Sequence, residues 1–204
     1  MNRKNLTCLV WTACVVVLLA GCAGRAYLIV DYDLPPESQT LKGQTVMMVI
    51  RDLREDRTIF SATAGEQFPG FEDRYSLAWN TQDGTRVLVG EYDLENLFRQ
   101  AFAKRLERLG VEVASASASY APVFEVVLKK LKIDLRGRQW VADVVYEANL
   151  SRDSHLIARE KITGSAERLR VIGRKGADTV LSEIFSDIIN RADIVKLFQQ
   201  AKLI

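Results

Sequence analysis

The chain has 204 residues, with 28 basic against 26 acidic side chains, a single histidine and three cysteines. Such a length suits one domain with a proper core once any targeting segment is removed. The near-neutral balance offers no basic footprint for nucleic acid, and the scarcity of histidine and cysteine argues against a transition-metal or thiol centre.

The first residues read "MNRKNLTCLVWTACVVVLLAGC". Arg3 and Lys4 form a positive leader, and Leu9 to Ala20 form an apolar run with Thr12 inside it. A spanning helix needs roughly 20 apolar residues, so a run of about a dozen reads as a secretory signal. Its end, Leu19-Ala20-Gly21-Cys22, matches the bacterial lipobox. The known chemistry of that motif implies cleavage before Cys22 and palmitate-type acylation, a diacylglycerol on the sulfur and an N-acyl chain. Residues 1–21 are then a signal peptide, and removing them leaves 26 basic and 26 acidic side chains. Cys8 and Cys14 depart with the signal, so neither a disulfide framework nor free-thiol chemistry remains. Several acyl chains hold a protein far more durably than one. Ala23 and Gly24 follow the cysteine with no Asp, and the lipoprotein sorting rule implies outer-membrane anchoring, facing the periplasm.

Residues 22–43 read as the lipidated N-terminus and a tether. Pro35-Pro36 with Glu37, Ser38 and Gln39 is loop composition, and Tyr27 to Val30 can pair as an edge strand. Residues 44–204 read as one domain. The continuous apolar run Val46 to Ile50 predicts a strand buried on both faces. Ile59 to Ala62 predicts a short strand, residues 64–84 a long loop, and "RVLVG" another short strand. From Asp93, apolar residues recur at helical spacing through Leu109, with Asp93 as N-cap and Gly110 as terminator. Val111 to Ala116 can be a strand. Then "VFEVVLKKLKIDLRG", "QWVADVVYEANLS" and "LIAREKITGSAERL" predict an antiparallel meander, with a bulge at Lys129-Lys130 where the apolar phase flips. Ala177 to Ile189 carries a helical stripe, and Asp193 caps a last short helix. The predicted class is α+β, a mostly antiparallel sheet with two amphipathic helices packed on one face.

The candidate chemistry is thin. His155 sits in a predicted turn beside Asp153 and Ser154, and neighbours on an extended chain point apart, so Ser154 and His155 make no nucleophile and base. Asp52, Glu55 and Asp56 are interleaved with Arg51, Arg54 and Arg57, which predicts ion pairing rather than acid–base work. "GRKG", residues 173–176, lacks the spacing of a phosphate loop and reads as a flexible helix entrance. The loop "GEQFPGFEDRYSLAW" places Phe68, Phe71, Tyr75 and Trp79 among Gly, Pro and charged residues, making it the candidate partner-contact surface.

These stretches resemble the YajG-like family of bacterial lipoproteins. The likeness runs from the lipobox through "LPPESQTLKGQTVMMVI", "DLREDR", "YDLENLFRQAFAKRLERLG" and "FEVVLKKLKIDLRGRQWVADVVYEANLS" to "DIVKLFQQ". It implies an outer-membrane-type lipoprotein with an α+β domain and no assigned catalytic residues; the chain departs from the family in its longer aromatic loop, residues 64–80. In order of elements the chain is also similar to auxiliary lipoproteins of ABC-type lipid transport and, more distantly, to the LPS-assembly lipoprotein. The expectation is a non-enzymatic envelope module, with no catalytic residues, no metal and no cofactor beyond the chains on Cys22. It would bind the membrane through that anchor and an envelope protein through the 64–80 loop or by strand addition at Tyr27 to Val30. The alternative is a lipid-handling auxiliary component of an ABC-type or LPS transport system, in which the face between sheet and helices opens to acyl chains.

Overall fold

The computed structural model describes residues 26–114, 121–169 and 175–204; Cys22 and the expected signal, residues 1–21, lie outside them. The α+β class holds, but the single mostly antiparallel sheet does not: the strands form two mixed sheets. The smaller has the order β1 (Ala26–Asp33), β3 (Phe71–Asn80), β4 (Arg86–Tyr92), with β1 parallel to β3 and β4 antiparallel to it. The larger has the order β5 (Glu112–Ala114), β2 (Thr45–Asp52), β6 (Val123–Arg136), β7 (Gln139–Arg152), β8 (His155–Leu169). Here β2 runs parallel to both β5 and β6, while β6, β7 and β8 form the expected antiparallel meander. Hairpin reasoning pairs strands that follow one another, whereas parallel partners need long crossovers. The chain from β2 to β5 is such a crossover, and it contains two strands of the other sheet.

The meander follows its sequence closely. Trp140, Ala142, Val144, Tyr146, Ala148 and Leu150 of β7 are all buried, and the β6–β7 register slips between Leu128 and Lys130, at the predicted bulge. Asp153 and Ser154 both take positive φ, 49° and 64°, as a tight two-residue hairpin requires.

Helix α1 (Ala62–Gly65) is a single turn capped by Ser61. Helix α2 (Leu94–Arg108) starts at Asp93, whose carboxylate accepts from the Asn96 amide, and ends before Gly110 at φ 85°. Helices α3 (Lys175–Arg191) and α4 (Ile194–Gln200) complete the chain. The Tyr146 ring meets Phe98 and Phe102 of α2 edge-on at 6.3 and 5.6 Å, and its hydroxyl donates to the Ile188 carbonyl of α3 at 2.6 Å. Phe98 also meets Phe185 of α3 at 5.2 Å. Space that an acyl chain between sheet and helices would need is therefore filled by packed aromatic side chains.

Strand β1 corrects two expectations. Leu28, Val30 and Tyr32 are fully buried, so the chain from Ala26 belongs to the domain and not to a tether. Its outer edge is also occupied. The amides of Ile29, Asp31 and Asp33 donate to Asp178 Oδ1, Ser182 Oγ and Ser186 Oγ of α3, each at 2.9 Å, and Asn190 Nδ2 donates to the Asp33 carbonyl at 2.8 Å. Four residues at a spacing of one helical turn thus stand in for a neighbouring strand. Strand addition at Tyr27 to Val30 would have to displace α3 from the Ile29 amide and from the strand beyond it.

Candidate functional site

Of the four aromatics expected on a contact loop, most of the loop is strand β3. Phe68 and Tyr75 are buried and unavailable to a partner, while Phe71 and Trp79 are half-buried. Phe71 and Trp79 lie at opposite ends of β3, on the order of 25 Å apart at the usual rise per residue, so the four do not make one surface. Trp79 packs edge-on against Tyr32 at 5.7 Å.

At the start of β3 the other aromatics converge. Phe60 stacks on Phe68 with ring centres 4.6 Å apart and planes 7° off parallel, and meets Phe71 edge-on at 5.1 Å. Phe68 reaches Trp140 at 5.9 Å, and Phe71 reaches Tyr75 at 5.8 Å. Ser61 holds this turn to the larger sheet, its amide donating to the Ile133 carbonyl at 3.0 Å and its hydroxyl to Asp134. Phe60, Phe68, Pro69 and Phe71 line an open pocket of about 670 Å³, with Arg57, Glu72 and Asp73 also in its wall. A volume of this order and a mostly apolar wall suit a small ligand group.

Beside the pocket lies a buried charge cluster. Arg54, only 5% exposed, grips Asp52 with two parallel bonds, Nε to Oδ1 and Nη2 to Oδ2, both 2.8 Å. Burial disfavours the Asp52 charge, but the hydrogen bonds and charge of Arg54 together outweigh it and hold the carboxyl below its usual range. The Tyr75 hydroxyl donates to Asp73 Oδ1 at 2.8 Å; burial, and then the Asp73 charge, push its pKa well above the ordinary phenol value. Phe60 and Arg54 were missed as site residues, because their contacts depend on how residues 53–71 fold back. The one local hint was an arginine between a strand end and a run of acids.

The remaining motifs are structural. Asp56 is fixed by Lys132 at 2.6 Å and by Thr58, and these bonds lower its pKa. Arg51 pairs with Glu125 at 2.6 Å. His155 is exposed at the start of β8, its Nδ1 2.8 Å from the Asp153 carbonyl oxygen. Gly173 lies outside the described residues, and Gly176 sits in α3 against Trp140. Among the described residues no group of three or more His, Cys, Asp or Glu is placed to hold a metal, and no helix is long and apolar enough to cross a membrane.

Two mixed sheets with α3 laid along β1 define an α+β fold with precedents among solved structures. A Xanthomonas campestris protein of the DUF330 family matches it with a TM-score of 0.54 at 13% identity, over 89% of this chain and 100% of that one. The rare lipoprotein B of Shewanella oneidensis (TM-score 0.41, 14% identity, 52% of this chain and 88% of that one) is similar in part. So is a hypothetical protein of Chlamydia trachomatis (0.45, 12%, 77% and 97%). The Xanthomonas protein, matched over its whole length, is a precedent for the fold. No family model and no curated protein matches the sequence.

Proposed function

We propose that this protein is an outer-membrane lipoprotein of the YajG-like kind, acylated on Cys22 and facing the periplasm, whose domain is a non-enzymatic accessory to an envelope assembly. One observation carries the reading: the first core strand begins at Ala26, four residues after the lipobox cysteine. Four residues extend to about 14 Å at most, so an anchored domain is held against the membrane with almost no spacer. The pocket wall is mostly apolar, built on Ile59, Phe60, Phe68, Pro69 and Phe71, a setting that supports holding an apolar group.

A protein partner is best placed on β4. This strand pairs only with β3 among the described strands, and Val87 and Leu88 are exposed on it, Leu88 at 65%. Unpaired edge backbone flanked by apolar side chains is the setting for strand addition. The test is in-cell crosslinking with affinity capture, comparing wild type, Cys22→Ser and Leu88→Glu. One envelope protein recovered with the acylated wild type and lost in both variants is expected. Equal recovery with Cys22→Ser would sink the anchored accessory role, and equal recovery with Leu88→Glu would move the contact off β4.

A further inference from the structure

The position of the aromatic pocket relative to the anchor has its own chemical meaning. Ala26 pairs directly with Phe71, a wall of the pocket, because β1 and β3 run parallel from that point. Whatever path residues 22–25 take, Cys22 stays within about 14 Å of Ala26. Helix α3 runs in the same direction as β1, meeting Ile29, Asp31 and Asp33 in turn through Asp178, Ser182 and Ser186, so its first turn shares this end of the molecule. The β6–β7 turn lies there too, since Trp140 packs on Phe68 and close to Gly176. Leu169, 70% exposed, pairs with Gln139 beside it. The opposite end carries the β3–β4 and β7–β8 turns and the end of α2 against Pro35.

We propose, resting on the Cys22-anchored reading, that the Phe60–Phe68–Phe71 pocket takes the acyl chain of a membrane phospholipid. The occupant follows from where the chain outside the described residues ends. Acyl groups on Cys22 must reach the hydrocarbon, and so short a link turns the β1 and β3 starts, with the pocket, toward that surface. The apolar walls then face the one abundant apolar ligand within reach, and Arg57, Glu72 and Asp73 in the same wall give its zwitterionic headgroup charges of both signs. Tyr27 and Leu169, exposed at the same end, fit a face that touches lipid.

The test is photolabelling of the full mature protein in vesicles of phosphatidylethanolamine and phosphatidylglycerol, with a trace of phosphatidylethanolamine carrying a diazirine near the end of one acyl chain. Adducts located by peptide mass spectrometry should concentrate on residues 57–73. Gly65→Leu puts a side chain into the pocket from a position where a Cβ sits 3.9 Å from that of Phe60, and Ala62→Trp does so from the exposed mouth. Either variant, with an unchanged circular dichroism spectrum, should cut these adducts about tenfold, the loss from weakening occupancy by roughly 1.4 kcal/mol. Adducts spread over the surface, adducts unchanged in both variants, or none would overturn the proposal. Intact mass reports acylation of Cys22 separately. An unacylated protein that labels at 57–73 in mixed micelles would sink the anchor and keep the pocket; an acylated one that labels elsewhere would do the reverse.

Discussion

Arg54 and Asp52 show what a buried pair costs and contributes. Each guanidinium–carboxylate bond is 2.8 Å long, and the two side chains are 2% and 10% exposed. Replacing one partner leaves the other charge buried without its counter-ion, a loss of about 3 kcal/mol. Asp52→Asn should therefore lower the urea midpoint at neutral pH. Because the folded carboxyl titrates below its unfolded value of about 3.9, the stabilisation is complete above that value and fades as the pH falls through the folded one. Wild type and Asp52→Asn should thus differ at pH 7 and converge only well below pH 4, while a gap that is constant with pH would mean that the Asp52 charge is not what holds Arg54. Gly176 makes a second case. A Cβ there would come within 2.5 Å of the Trp140 ring, a neighbour locked in the core. Alanine in a helix normally stabilises, yet Gly176→Ala should cost about 1–3 kcal/mol through overpacking, seen as a lower melting temperature. The sequence marked this glycine as a flexible helix entrance; its reason is close approach, which no spacing of residues reveals.

The contact of α3 with β1 works as a unit. Ser182 and Ser186 each accept from an outward amide of β1, and their hydroxyls donate in turn, Ser182 to the Asp178 carbonyl at 2.8 Å and Ser186 to the Asp31 carbonyl at 3.2 Å. Ser182→Ala with Ser186→Ala would remove the partners of the part-buried Asp31 and Asp33 amides, at about 1 kcal/mol for each bond lost. Amide hydrogen exchange should speed up selectively at Asp31 and Asp33. The amides of the inward positions, which face β3, should keep their protection, and uniform acceleration along β1 would mean that packing, not the polar ladder, holds the edge. The hydrophobic stripe of α3 was legible from Ala177 to Ile189, because burial follows the 3.6-residue period. The polar ladder at positions 178, 182, 186 and 190 shares that period on the adjoining face. It looks like an ordinary solvated surface until the strand beside it is known. The meander was legible for the same kind of reason: its partners are sequence neighbours, and alternation, bulge and turn all agree locally.

At the scale of the whole molecule, legibility ended where pairing became non-local. Strands β1 and β2 are consecutive yet lie in different sheets, and β1 finds its partner only in β3, past β2 and α1. The proline-rich segment at Pro35-Pro36 made residues 22–43 look like a tether in which only Tyr27 to Val30 could pair as an edge strand, and the acid- and glycine-rich start of β3 made that strand look like a loop. Both readings hide one fact, that residues 26–33 are a core strand with β3 on one side and α3 on the other. Tyr32 concentrates this role. It is fully buried, packs edge-on against Trp79 and Phe185, and donates its hydroxyl to Asn190 Oδ1 at 2.8 Å. Its burial in particular raises its pKa far above the ordinary phenol value. A chain beginning at residue 44, the domain start that composition suggests, would lose Leu28, Val30 and Tyr32 and uncover the buried edge of β3 and Phe185 of α3. It should give an NMR spectrum without dispersed amide signals and aggregate when concentrated. A chain beginning at residue 23, lacking Cys22 but retaining β1, should give a dispersed spectrum and one cooperative thermal transition. If the shorter chain also folds cooperatively, β1 is an accessory to the domain, and the close coupling of fold to membrane anchor argued from Ala26 fails with it.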